Sequence, residues 1–123
     1  GVYAIGDVAE FFDPLYRRHR RIEHWSTAAY HGTTLGKILA GDPDARYDTV
    51  SSFFSEEFGR SFRSFGDAAG HDDTSLEGDF SGDHAVYRFL KGAATIAAVA
   101  IGLDDEEQDA LKDEIRAGAA TIG

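Results

Sequence analysis

The sequence contains no cysteine. That absence excludes a disulfide, a thiolate zinc site and a redox dithiol within this stretch, and it says little about compartment. Positive charge is scarce, with 12 Lys and Arg against 22 Asp and Glu for a formal net charge of −10. Repulsion from phosphates therefore argues against nucleic acid as a partner. The charge fits a protein that stays dispersed or one adapted to high salt, and composition does not separate the two. No apolar run approaches the roughly 20 residues that span a bilayer, so no membrane span is expected. The first residues lack the charged start and long apolar stretch of a signal peptide, and a cytoplasmic location is the expectation. No G-x-G-x-x-G turn follows a strand, since the 14 glycines are scattered. Without such a turn a dinucleotide pyrophosphate has no helix N-terminus to rest on.

What is present suits a chain of domain size. Its 123 residues include 9 Phe and 5 Tyr, enough for a real core. Val2, Tyr3, Ala4 and Ile5 form a continuous apolar run ending at Gly6 and Asp7, the pattern of a strand buried on both faces of a parallel sheet. Such a strand needs neighbours to pair its backbone, and this sequence supplies none. Together with the missing initiator Met, this leads us to expect a piece of something longer. Next comes a loop holding Asp13, Pro14 and the basic block Arg17, Arg18, Arg20 and Arg21. Residues 25–40 read as a helix, with Ser26 as N-cap, Gly41 as stop and Pro43 beyond it. The small residues Ala28, Ala29, Gly32 and Gly36 suit close packing against that helix.

Residues 42–48 are polar, contain Pro43 and form the candidate boundary. After them, short strands are expected at 50–54, 60–65, 75–80, 84–90 and 93–101, the last two joined by a hairpin turn at Lys91 and Gly92. The Gly- and Asp-rich residues 66–74 are expected to be an exposed loop. Residues 104–117 read as a helix, with Asp104 and Glu107 placed as a capping box and Leu111 and Ile115 on one face. The expected fold class is α+β. Residues 1–47 supply one strand and one helix from the edge of an α/β domain, and residues 48–123 a small antiparallel β-sheet domain with a C-terminal helix.

Three short segments hold the residues with chemistry. Gly6 and Asp7 follow the first strand, where α/β sheets bind ligands. Gly6 permits close backbone approach and the Asp7 carboxylate accepts hydrogen bonds from a hydroxyl; the competing reading is a solvated turn. Glu23, His24 and Trp25 lie at the entrance to the helix, whose free N–H groups stabilise negative charge. Here the competing reading makes Trp25 a hydrophobic staple and pairs Glu23 with an arginine. Phe53, Phe54 and Phe58 surround Ser55, Glu56 and Glu57, an aromatic cluster that elsewhere is usually core. His24 and His31 are seven residues apart with no third ligand, so no metal site is expected. His71, Asp72 and Asp73 read as a solvated loop, and no nucleophile–base set is suggested.

In this order, GVYAIGDVA, RRIEHW and FFSEEF resemble the C-terminal half of the FAD-dependent pyridine nucleotide-disulfide oxidoreductases. Within that family the sequence resembles the ferredoxin, putidaredoxin and rubredoxin reductases and the apoptosis-inducing-factor group. The motifs run from Gly1 to about Phe65, and beyond that the resemblance rests on strand order. It implies that residues 1–47 are the edge of an FAD-binding domain. Tyr3-Ala4-Ile5-Gly6-Asp7-Val8 is similar to the family's second FAD motif, in which the aspartate, here Asp7, binds the ribityl chain. Glu23, His24 and Trp25 match the loop lying against the isoalloxazine ring. Phe54-Ser55-Glu56 resembles a Trp-Ser-Asp element near the flavin and nicotinamide pocket. Phe54 for Trp keeps an aromatic face and loses the indole donor, and Glu56 stands for Asp.

The implied cofactor-binding set is thus Gly6, Asp7, Val8, Glu23, His24, Trp25 and Phe54, with no catalytic residue and no metal ligand. The implied cofactor is FAD in the complete protein, with NAD(P)H as co-substrate and a ferredoxin-like protein, a quinone or oxygen as acceptor. The rest of the parent oxidoreductase is the expected partner, and this segment alone is expected to retain no FAD and to be inactive. The alternative is a cofactor-free interaction or dimerisation domain descended from such a reductase, its Phe-rich surface meeting a partner or a second copy in a homodimer.

Overall fold

A computed structural model describes residues 1–122. After a 3-10 turn at Gly6–Val8, the chain forms β1 (Phe11–Asp13), β2 (Arg18–Arg20) and α1 (Trp25–Leu39). Then follow β3 (Ser52–Glu57), β4 (Arg60–Gly66), β5 (Asp73–Gly78), β6 (Ala85–Lys91), β7 (Ala94–Ile101) and α2 (Asp105–Thr121). β1 and β2 make a small antiparallel ribbon. The later five strands make one antiparallel sheet in the order β3-β4-β7-β6-β5. The α+β class with a C-terminal helix is as expected.

β7 lies at the centre because its sequence is apolar without alternation and built largely of alanine. Ile96, Ala97, Ala98, Ala100 and Ile101 are all buried, so both faces of the strand are covered. Its small side chains let α2 lie close. A Cβ on Gly118 would stand 1.9 Å from the Thr95 carbonyl oxygen, so only glycine fits there. The core gathers Val50, Phe65, Val86, Ala98, Ala100, Leu111 and Ile115, with Leu111 and Ile115 on the helix face read from the sequence. α2 starts with the capping box at Asp104 and Glu107. The Glu107 N–H donates to Asp104 Oδ1 at 2.8 Å and the Asp104 N–H to Glu107 Oε2 at 2.9 Å. Arg88 on β6 ties three elements together, at 2.7 Å from Glu77 on β5 and 3.0 Å from Glu114 on α2.

All five expected strands form, with ends within three residues of the expected positions. The β6–β7 turn is Gly92-Ala93 rather than Lys91-Gly92, since Lys91 pairs with Ala94. Gly92 takes the left-handed conformation at φ +59, and a bulge at Phe89/Leu90 shifts the register by one.

The first half departs further from expectation. Residues 1–5 form no strand. Val2 is fully exposed and Tyr3 and Ile5 are exposed, because no strand among the described residues pairs with this run. The basic block is not a loop: Arg18 and Arg20 belong to β2, paired with Asp13 and Phe11. Tertiary contacts hold this ribbon. The Tyr16 hydroxyl donates to the Ile96 carbonyl at 2.7 Å and accepts the Asp67 N–H at 2.9 Å. Arg20 lies 3.0 Å from Asp67 and 3.3 Å from the buried Asp13, and Arg18 also pairs with Asp67. Ribbon and sheet are thereby joined across residues far apart in sequence.

The N-cap of α1 is His24, with no side-chain cap, and not Ser26. Ser26 lies inside the helix, and its hydroxyl donates to the Ser52 carbonyl instead. Gly41 ends the helix with φ +88, as expected. Of the small residues, Ala28 lies 3.5 Å from where a Cβ on Gly6 would stand, whereas nothing approaches Gly32 or Gly36 within 4 Å of such an atom. The close packing expected along that stripe is therefore made at Ala28 only.

Candidate functional site

Two of the three sequence segments meet. Glu23, His24, Trp25 and Ser26 from the start of α1 and Ser52, Phe53 and Phe54 from β3 line one open cavity of about 350 Å³, with Arg63 of β4. The chain folds this way because β3 is pinned to the helix start by the Ser26–Ser52 hydrogen bond. In addition, the His24 ring stacks on Phe53, with centroids 4.0 Å apart and planes 22° from parallel. Arg63 is the cross-strand partner of Phe54, and its guanidinium carbon stands 5.8 Å from the centre of that ring.

The cavity is aromatic, with one cation on its wall and a helix N-terminus at its edge. Trp25 is 86% exposed and Phe54 66%, so Trp25 is no hydrophobic staple and the Phe-rich segment is not core. Phe53 is exposed, and Phe58 is fully so at the β3–β4 turn. Glu23 pairs with Arg21 at 2.7 Å, both side chains being mostly in solvent. Glu56 does not line the cavity; it accepts from Ser61 at 3.5 Å across the hairpin. Glu23 and His24 also line a second open groove of about 650 Å³, together with Arg18, His19, Arg20, Arg21 and Asp67.

Gly6, Asp7 and Val8 are outside the cavity lining. Their turn packs against α1 one to two helical turns past Trp25, at Ala28 and His31. Asp7 and Val8 are exposed, while Gly6 is buried with φ +74. The close approach that Gly6 allows is therefore to the helix. His31 is buried and accepts the Gly6 N–H on Nδ1 at 3.2 Å. Phe11 and Tyr47 meet its ring edge-on at centroid distances of 4.7 and 4.6 Å. Burial pushes the His31 pKa down, which favours the neutral ring.

Sequence reasoning passed over Arg63, Ser26 with Ser52, and the role of His31. The strand register would have exposed the first, since it sets Phe54 opposite Arg63. Thr27 and His31, four apart and the two buried residues of α1, mark the helix's inner face. Among the described residues no group of His, Asp and Glu is arranged to hold a metal ion. Also among them, no helix is long and apolar enough to cross a membrane.

No family model matches the chain. A monodehydroascorbate reductase of Cucumis sativus is 31% identical over 118 residues, covering 89% of this chain and 27% of the relative. Apoptosis-inducing factor 3 of Homo sapiens is 32% identical over 107 residues, covering 85% of this chain and 17% of the relative. The chain thus spans less than a third of the curated relatives it matches. Among solved structures, Fdr9 superposes over 94% of this chain and 30% of its own, with a TM-score of 0.80 and 28% identity. Putidaredoxin reductase in its covalent complex with putidaredoxin shares the fold, with a TM-score of 0.81 over 93% of this chain and 27% of its own at 24% identity. The chain belongs with the C-terminal part of the FAD-dependent pyridine nucleotide-disulfide oxidoreductases.

Proposed function

We propose that this chain supplies one wall of the flavin site in an FAD-dependent NAD(P)H oxidoreductase and the adjoining C-terminal domain, with the division between them near residues 47 and 48. The observation that carries the reading is the convergence of Glu23, His24 and Trp25 with Phe54, about thirty residues further on, around one open aromatic cavity. An uncapped helix start borders it. The residues fit one edge of FAD. Trp25 offers a free aromatic face to a planar ring. The first N–H groups of α1 carry a partial positive charge of about half a unit and hold negative charge at that edge. Arg63 adds a cation, and the exposed Asp7 carboxylate is free to accept hydrogen bonds from the hydroxyls of a ribityl chain.

Bound there, FAD would supply the hydride and electron chemistry from NAD(P)H to an acceptor, while the protein contributes position and charge. The chain holds no phosphate-binding turn, so it is proposed to be inactive and to lose FAD when separated from the rest of the reductase. The apolar surface of residues 1–40 and the open Gly32 and Gly36 support that remainder as its partner. A redox protein as acceptor is supported by the fold shared with putidaredoxin reductase, whose structure is a complex with such a protein. A cytoplasmic setting agrees with this reading.

In the complete enzyme, Asp7→Ala is expected to weaken FAD binding by about 1.5–3 kcal/mol, as for a lost charged hydrogen bond. Flavin content and affinity, read from the visible spectrum during titration, test this; unchanged values overturn the assignment. The exposure of Phe54 and Phe58 favours a second reading, in which this surface serves a protein partner or a homodimer without cofactor. A colourless natural protein with no preceding domains would decide for it.

A further inference from the structure

The turn at Gly6–Val8 has little of its own to hold it in place. It is three residues long, and its own backbone closure is the hydrogen bond from the Ala9 N–H to the Gly6 carbonyl at 3.0 Å. Its other anchor is the hydrogen bond from the Gly6 N–H to His31, across 25 positions of sequence. We propose that His31 is a positioning residue for the flavin: its Nδ1 lone pair holds the Gly6 N–H and so fixes the turn from which Asp7 reaches the ribityl chain. This inference rests on the flavin reading of Asp7 given above.

Three observations support it. Because the partner is an N–H, Nδ1 must be the unprotonated nitrogen, which puts the ring hydrogen on Nε2. Nε2 is buried without a hydrogen-bond partner. It lies in a ring packed edge-on by Phe11 and Tyr47, so packing sets the ring plane and the hydrogen bond to Gly6 is the polar contact that the ring makes. Burial also disfavours the imidazolium, and so keeps the acceptor available at neutral pH. A plain packing role would leave Gly6 N–H, itself buried, to find another acceptor, and an unmet buried donor is costly. Phe11, Tyr47 and α1 thus orient the ring, the ring orients Gly6, and Gly6 sets the position of the carboxylate one residue on.

The test uses two substitutions of nearly equal size in the complete reductase. His31→Leu removes the acceptor, whereas His31→Asn returns an oxygen acceptor near the Nδ1 position. FAD affinity by titration and exchange of the Gly6 amide by NMR are read for both, with Asp7→Ala alongside. His31→Leu is expected to weaken FAD binding about five- to tenfold, as for one lost hydrogen bond, and to speed exchange at Gly6. His31→Asn is expected to stay within about twofold of the parent in affinity. Unchanged affinity and exchange in His31→Leu, or equal losses in both variants, overturns the proposal. If Asp7→Ala leaves affinity unchanged, the flavin reading fails instead, and the exchange measurement alone decides whether His31 holds the turn.

Discussion

Residues 1–47 and residues 48–122 use apolar side chains in opposite ways. The seven residues of the buried core cluster all come from the second region, with Leu15 the partly buried contribution from the first. Of thirteen large hydrophobics exposed among the described residues, nine lie in the first region: Val2, Tyr3, Ile5, Val8, Phe12, Trp25, Tyr30, Ile38 and Leu39. Both regions have ordinary secondary structure, yet only the second encloses its own core. The difference teaches that a helix and a ribbon can be well formed while their apolar surface faces outward. In the first region order leans on polar joints at Tyr16, Arg20 and His31, beside the buried Ala9 and Ile22 and the aromatic packing of Phe11 and Tyr47 on His31.

The contrast can be broken experimentally. The largest effect is expected at Phe65, 1% exposed between β3, β7 and α2. Phe65→Ala should cost about 3–5 kcal/mol in denaturant unfolding, the range for a large core aromatic. An intermediate effect is expected at the joint between the regions. Tyr16→Phe leaves the Ile96 carbonyl and the Asp67 N–H without their partner, which should cost about 1–3 kcal/mol and raise proteolytic cleavage in residues 10–20. The smallest effect belongs to the outward face of α1. Leu39→Ser, at a position 66% exposed, should change stability by less than about 0.5 kcal/mol. A loss at Leu39 comparable to that at Phe65 would show that the first region does bury this face, and the contrast would fall.

How legible each part was follows from the range of the forces that shape it. The start of α2 was readable because Asp104 and Glu107 satisfy each other within one turn. The five strands were readable because turn residues and short β-prone runs between them are local signals. Their errors are also local: Gly92 took the first turn position rather than the second, and the bulge at Phe89/Leu90 has no signature in composition. The β1–β2 ribbon was not readable, because an arginine-rich tract looks like a loop until Asp13 and Asp67 are brought to it. Val2 to Ile5 misled in the other direction, since an apolar run reads as buried wherever its cover comes from. At the site, the grouping of Glu23, His24, Trp25 and Phe54 was implied by resemblance, and the structure brings them to one cavity. Gly6, Asp7 and Val8 lie further along α1, and His31 needed the helix's inner face to be known first.

The Tyr16 hydroxyl serves as donor to one strand and acceptor from the next loop at once. Burial pushes its pKa up to about 12, because the phenolate would lose its hydration there and the Asp67 N–H and Arg20 offset only part of that loss. The sign is that of a group favouring its protonated form when folded. Its contribution is whole below the ordinary value of 10 and is lost as the pH climbs through about 12. Ionising this phenol thus undoes one of the joints between the two regions, while the Arg20–Asp67 pair and the His24–Phe53 stack remain, and the fold carries an alkali-sensitive joint at one oxygen atom.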